Sequence, residues 1–406
     1  MHTNAIVAHG GGPTAVINAS MVGLIEECRG RGYGLYGARC GLAGLLRGDL
    51  VDLLALDAEL VRQIGEAPGS ALGSSRLPLA EEDYARLLEV LRRAEVHTFF
   101  YTGGNGSMDT ALRIARHARD AHYDLQVIGI PKTIDNDLCV TDHTPGYAST
   151  ARYFACAARD VGEDNRSLPS PVCVLETLGR NAGWIVAATS LARHRDDDAP
   201  HLIYFPERPL SLDRIAADVE RVYRRLGRVV VAVCEGQLDD RGQPFGAEVD
   251  RADSAAQRLA SNLGHTLARL LSEKLGIRAR AEKPGLLGRC CGEFAVPLDR
   301  REAFACGRAA AVAAGQGETD VMVALRRDSS TFLTPLETVA RVERLLPADW
   351  IHPDGNDVMP EFREYAGAGG GGARVAPVVT LGAKSGSGGS ALEAAHGAAP
   401  QDSYEI

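Results

Sequence analysis

Asp135 and Asp137 stand two residues apart in the run Gly129-Ile130-Pro131-Lys132-Thr133-Ile134-Asp135-Asn136-Asp137, directly after an apolar stretch, Leu125 to Ile130, that reads as a buried strand. Two acids at the end of such a strand suit a divided task. A phosphoryl group moving onto a hydroxyl needs one group to take the hydroxyl proton and another to hold a metal and orient the phosphates. Taken alone, Asp-Asn-Asp is equally the composition of a solvated turn. The neighbouring residues decide for chemistry.

Two Gly-rich turns follow strand-like runs, Gly10-Gly11-Gly12-Pro13-Thr14 and Gly103-Gly104-Asn105-Gly106-Ser107, and a third small-residue turn, Gly73-Ser74-Ser75-Arg76, lies between them. Glycine lets backbone amides come close to a phosphate, and a following helix presents unpaired N–H groups and the positive end of its dipole. Any one of these turns is explained as a simple chain reversal. Three of them, with Arg76 and Lys132 adding positive charge, point to a polyphosphate.

The elements that must position these residues alternate between strand and helix. Ala5 to Ala8 reads as a strand and is followed by a helix from about Ala15 to Gly30; Thr98 to Thr102 reads as a strand followed by a helix from Ser107 to Arg119. Further strand-like runs occur at Val172 to Leu175, His201 to Phe205 and Val229 to Cys234. The pattern predicts an α/β protein with two Rossmann-like domains, mainly parallel sheets and a cleft between them. From Gly367 the composition changes to Gly, Ala and Ser, which predicts a flexible tail over residues 366–406.

A chain of 406 residues, 45% hydrophobic and 24% charged, is long enough for two such domains. Its net charge of -9 argues against general binding to nucleic acid or to an acidic membrane, and so for small-molecule partners. No apolar run reaches the length of a membrane span, and the chain enters its first strand without a charged and apolar leader, so a cytoplasmic location is expected. The nine cysteines include no Cys-x-x-Cys pair, and Cys173 and Cys234 lie in apolar runs where they act as small hydrophobes. Neither a disulfide framework nor a zinc site is expected.

The motifs resemble those of the phosphofructokinases, a group of ATP-dependent and pyrophosphate-dependent enzymes, and most closely its pyrophosphate-type branch. The resemblance rests on Gly10 through Asn18, Gly103 to Ser107, Pro131 to Asp137, Thr144-Pro145-Gly146-Tyr147, Glu176 to Trp184 and Cys234-Glu235-Gly236, and extends to about Tyr365. It implies that Asp135 takes the acceptor's hydroxyl proton, that Asp137 is its partner in metal and substrate orientation, and that Thr133 holds the transferring phosphate. Lys132 and Arg180 complete the implied catalytic set. Gly12, Arg76, Gly104, Asn105, Gly106 and Ser107 match donor positions, and Gly179, Arg180, Glu235, Arg280 and Arg289 match acceptor positions. Mg²⁺ is the implied cofactor, held by Asp137 and Asn105 together with the phosphates. The implied organisation is a donor domain over residues 1–140, to which later segments return, and an acceptor domain over residues 141–365, within a homo-oligomer.

Two departures from the family pattern bear on the substrates. Gly106 stands where the pyrophosphate branch usually carries an Asp whose charge opposes the α-phosphate of a nucleotide, so ATP is the expected donor and pyrophosphate the alternative, Lys132 being the residue expected of pyrophosphate enzymes. Pro171 stands where an Arg, and Leu286 where a His or Tyr, would contact the 6-phosphate of fructose 6-phosphate. Losing one charge-assisted bond costs about 1.5 to 3 kcal/mol, which makes another sugar, sugar phosphate or polyol a candidate acceptor. Arg166, Arg278 or Lys283 could equally take over the lost contact. A regulatory homologue that binds nucleotide or sugar phosphate without catalysis is the alternative from another class, opposed by the retained Asp135, Asp137 and Arg180.

Overall fold

The computed structural model describes residues 4–168, 171–243, 245, 262–368, 375 and 376. Seven strands form the first sheet: β1 (Asn4–His9), β2 (Gly34–Ala38), β3 (Leu50–Asp52), β4 (Val96–Gly103), β5 (Gln126–Pro131), β10 (Val321–Leu325) and β11 (Thr331–Pro335), in the order β11-β10-β5-β4-β1-β2-β3. Only the outer pairs, β2 with β3 and β10 with β11, are antiparallel. The second sheet is wholly parallel, with β6 (Val172–Thr177), β7 (Leu202–Ile203), β8 (Val229–Cys234) and β9 (Ala279–Glu282) in the order β7-β8-β6-β9. The molecule is thus α/β with two mainly parallel sheets.

Parallel strands covered on both faces must be apolar throughout, which is why β1, β5 and β8 read as continuous hydrophobic runs. The pleat then sorts their residues between two cores. Ile6 and Ala8 pack with Phe99, Tyr101 and Val127 on one face, whereas Ala5 and Val7 pack with Phe100, Ile128 and Ile130 on the other. In the second sheet Val229, Val231 and Val233 face the helices Leu212–Leu226 and Leu263–Leu275, while Ala232 and Cys234 join a core around Trp184.

The expected strands at Ala5, Thr98, Leu125, Val172 and Val229 are present, as are the helices Ile17–Arg31 and Asn105–Asp120. His201 to Phe205 contributes only the two-residue β7. The flexible-tail expectation falls mostly outside the described residues, but its first residues belong to the helix Pro360–Ala368, and Val375 packs on Ala155 and Cys156.

Candidate active site

The register pairs His9 with Thr102 and Thr102 with Ile130, so the carboxyl ends of β1, β4 and β5 lie side by side. Likewise Thr177 of β6 pairs with Cys234 of β8. The loops that leave these five strand ends line one cleft of about 1120 Å³, in the crevice where parallel sheets bind ligands.

In the first loop, Gly11 turns the chain at φ 77°, a left-handed conformation natural to glycine, and its N–H donates to Ser75 O at 2.9 Å. That bond, with Ser74 Oγ donating to Gly11 O at 2.7 Å, sets Arg76 beside the loop. Beneath it, Lys132 is 3% exposed and its Nζ donates to Gly10 O and Gly12 O at 2.7 Å each. Burial and then the nearby Arg289 guanidinium pull its pKa down to about 8. The second loop opens the helix Asn105–Asp120 at Gly104, so the positive end of that helix faces the cleft through Gly104, Asn105, Gly106 and Ser107. A Cβ placed on Gly106 would meet no heavy atom within 4 Å.

The acidic turn leaves β5 between these loops. Thr133 Oγ1 accepts from Asp135 N at 3.1 Å, and Asn136 adopts φ 53°, which carries the chain back so that Asp135 and Asp137 both reach the cleft. Burial, then the charges of Asp137 and Glu235, push the Asp135 carboxyl up to about 7, against the opposing pull of Arg289 and Lys132. A carboxyl poised there accepts a proton near neutral pH. Burial also raises Asp137, with hydrogen bonds from Thr133 and Asn105 working the other way.

Asn105 Nδ2 donates to Asp137 Oδ2 at 2.9 Å, while Asn105 Oδ1 and Asp137 Oδ1 are buried without a hydrogen-bond partner. Among the described residues no group of three or more His, Cys, Asp and Glu side chains is assembled for a metal. Mg²⁺ needs no such cage, since it binds through one or two side-chain oxygens and completes its shell with waters and phosphates. The two unpartnered oxygens therefore fit it.

From the second sheet come Arg180, Asn181 and Glu235. Gly236 allows this meeting, because a Cβ there would fall 1.5 Å from Arg180 O. Burial raises the Glu235 carboxyl, and the Arg180 charge opposes that rise. Arg289, on the short helix Leu287–Cys290, lies against the first loop: a Cβ on Gly12 would be 3.2 Å from its guanidinium carbon. It thus adjoins the donor loop as well as the acceptor side to which the sequence assigned it.

Of the residues singled out in the sequence, Gly12, Arg76, Gly104, Asn105, Gly106, Ser107, Lys132, Thr133, Asp135, Asp137, Arg180, Glu235 and Arg289 all line this cleft. Gly179 and Arg280 do not. Gly179 shapes the preceding turn at φ 114°, and Arg280 on β9 lies 3.8 Å from Asp164. The substitute cations are also committed elsewhere or turned outward: Arg166 pairs with Asp198 at 2.9 Å, Lys283 with Glu176 at 2.8 Å, and Arg278 is exposed. Sequence reasoning missed Glu343, which accepts from Asn181 Nδ2 at 2.8 Å and lines the cleft with Leu345. No motif marks it; only the bridge between Leu138 and Glu343 brings it beside the acidic turn.

Comparison with known proteins gives a consistent result. The family model described as phosphofructokinase matches residues 4–314. A pyrophosphate–fructose 6-phosphate 1-phosphotransferase of Rhodospirillum rubrum is 40% identical over 373 residues, covering 89% of this chain and 92% of that protein. One of the same name from Xanthomonas campestris is 36% identical over 376 residues, covering 89% and 90%. A solved pyrophosphate-dependent phosphofructokinase from Nitrosospira multiformis superposes with a TM-score of 0.81 at 33% identity, covering 90% of this chain and 91% of its own.

Proposed function

The chain belongs to the phosphofructokinase family, and from that premise we propose that it moves a phosphoryl group from pyrophosphate to the 1-hydroxyl of fructose 6-phosphate. The observation that carries the chemistry is Asp135, a carboxyl raised to about 7 that shares its cleft with Lys132, Arg76 and Arg289. As the acceptor oxygen bonds to phosphorus, its proton passes to the Asp135 carboxylate, and the bond from phosphorus to the departing phosphate breaks. Lys132, Arg76 and the positive end of the helix Asn105–Asp120 meet the negative charge that moves onto the departing oxygen. Thr133 orients the phosphate in transfer. Mg²⁺, when held by Asp137 Oδ1 and Asn105 Oδ1, supplies charge neutralisation to the phosphates.

Pyrophosphate replaces ATP as the preferred donor because the relatives of 40% and 36% identity carry it in their names and because Lys132 is fixed by two bonds at the base of the donor loop. One observation favours ATP as a second reading: the open space over Gly106 leaves room for a further phosphate. The same relatives favour fructose 6-phosphate over other acceptors, with Arg180 and Arg289 as its cations. We assign donor binding to the lobe of the first sheet and acceptor binding to that of the second, in a homo-oligomer. Among the described residues no helix is long and apolar enough to cross a membrane, in keeping with an enzyme of soluble metabolites.

The test is turnover of the purified protein with Mg²⁺, offering each donor with fructose 6-phosphate and identifying the product by mass spectrometry. A fructose bisphosphate formed with pyrophosphate is the expected result. Product with ATP alone would replace the donor, and silence with both would overturn the reading.

A further inference from the structure

Six residues after Asp137, the buried imidazole of His143 sits between two carboxylates: Nδ1 shares a hydrogen bond with Asp142 Oδ2 at 2.8 Å, and Nε2 lies in an ion-pair contact 3.0 Å from Glu302 Oε2, off the angle of a hydrogen bond. An acid beside each ring nitrogen favours the doubly protonated ring, because its positive charge then faces a carboxylate on both sides. Glu302 comes from the helix Pro297–Gly315, far away in the chain. The ring therefore ties the segment 141–144 to a helix that packs on the first sheet.

From that segment, contacts lead directly to the acidic turn. Thr144 Oγ1 donates to Thr133 O at 2.9 Å and lies 3.5 Å from Asn136 Oδ1. Asn136 Nδ2 donates to Tyr365 OH at 3.0 Å, and Tyr365 OH donates to Asp142 O at 2.8 Å. These bonds close a ring: His143, Asp142, Tyr365, Asn136, Thr144 and back to His143. Asn136 is the residue that separates the two acids, and it is held in a left-handed conformation that needs outside support.

We propose that His143, clamped between Asp142 and Glu302, is a positioning residue that fixes the Thr133–Asp137 turn in the geometry for phosphoryl transfer. The proposal rests on the phosphotransfer reading above. Other charged and titratable groups around the clamp are Arg327, 3.5 Å from Asp142; Arg344 and Tyr365, which donate to the Asp142 carbonyl; and Asp299 and Cys306, which flank Glu302 on its helix. Burial alone would push the imidazole down, but the two carboxylates outweigh it and raise it to about 9. A folded-state pKa above the free value of about 6.5 means that the clamp is intact below that value and is lost as pH rises through about 9.

The experiment compares wild type with Glu302→Gln and Asp142→Asn, each of which removes one carboxylate and keeps its shape. With donor saturating, bound phosphates keep Lys132 protonated, so the alkaline limb of kcat reports the clamp. That limb should fall near pH 9 in the wild type and move at least one unit lower in either variant, with KM for the donor changed less than threefold. Independently of turnover, amide exchange at residues 133–137, followed by mass spectrometry at pH 7.5, should speed up at least tenfold in the variants. Asp142 is partly exposed, so Asp142→Asn keeps the test open if Glu302→Gln does not fold. A folded variant with an unmoved alkaline limb and unchanged exchange at 133–137 overturns the proposal. A wild type without turnover overturns the phosphotransfer reading instead, and the exchange measurement still decides the role of His143.

Discussion

Asn105 Nδ2 donates twice to Asp137, to Oδ2 at 2.9 Å and to the backbone carbonyl at 3.0 Å, and Asn105 Oδ1 and Asp137 Oδ1 stay buried without a partner. The contact fixes two cation ligands in place while using only the amide nitrogen of Asn105. Replacing Asn105 with Asp turns this attraction into a clash of like charges that Mg²⁺ relieves. Asn105→Asp should therefore lower the Tm in EDTA and regain most of it with added Mg²⁺, while the Mg²⁺ needed for half-maximal activity falls several-fold. Thermal melts with and without the metal check this; an unchanged Mg²⁺ response would remove Asn105 from the metal site.

Asp135 yields a prediction in which activity and stability move oppositely. Its carboxyl titrates near 7 in the folded protein and near 3.8 when unfolded, so the native state gives up this proton reluctantly, and stability contributed by the group declines as pH rises from about 4 to 7. Asp135→Asn should lower kcat by roughly 10² to 10⁴, leave donor binding within threefold, and raise the Tm at pH 8. In the wild type kcat/KM should increase about tenfold per pH unit below 7. Melting curves and a pH profile measure both halves.

Lys132 sets the other limb. Its folded-state pKa of about 8 lies below the ordinary 10.5, so the free enzyme loses this charge above pH 8, and the group makes folding more favourable as pH climbs from about 8 to 10.5. The kcat/KM for donor should fall above pH 8. Lys132→Met removes the bonds to Gly10 O and Gly12 O as well as the charge, and should raise the donor KM at least tenfold. Isothermal titration with pyrophosphate at pH 7 and pH 9 separates the charge from the loop's shape.

Gly106 offers a test of donor choice that leaves the fold intact. An Asp there enters open space in the first turn of a helix, where a carboxylate is favourable by about 0.3–1 kcal/mol. Gly106→Asp should keep the Tm within about 2 °C and increase the preference for pyrophosphate over ATP at least tenfold, since the new charge opposes the longer donor. Equal loss with both donors would show that position 106 does not face the added phosphate.

Much of the cleft is legible in sequence because its parts are local: a Gly-rich turn or an acid pair directly after an apolar strand fixes both its own shape and its place at a sheet's carboxyl edge. Asp135, Gly104 and Arg180 are of this kind. Legibility ends where two distant stretches must meet. β9 is Ala-Arg-Ala-Glu, with no apolar pattern, and β10 reaches β5 only by pairing Val321 with Ile128 and Met322 with Gly129. Glu343 beside Asn181, Tyr365 on Asn136 and Glu302 on His143 carry no local signature. Arg280 is a different case: the resemblance puts it among the acceptor residues, whereas its guanidinium lies 3.8 Å from Asp164, outside the cleft lining.

The late return of β10 to the edge of β5 also orders events on the ribosome. The strand that leads into Lys132 and the two acids leaves the exit tunnel about 190 residues before its neighbour does. At a synthesis rate of about 5–20 residues per second, that edge waits roughly 10–40 s for its partner. Throughout the interval it is an apolar strand with an open side, the kind of surface that recruits another nascent chain or a chaperone. Glu302, Arg344 and Tyr365, which brace the acidic turn, are translated later than β5 as well. The catalytic turn is thus among the first parts of the molecule to be made and among the last to be finished.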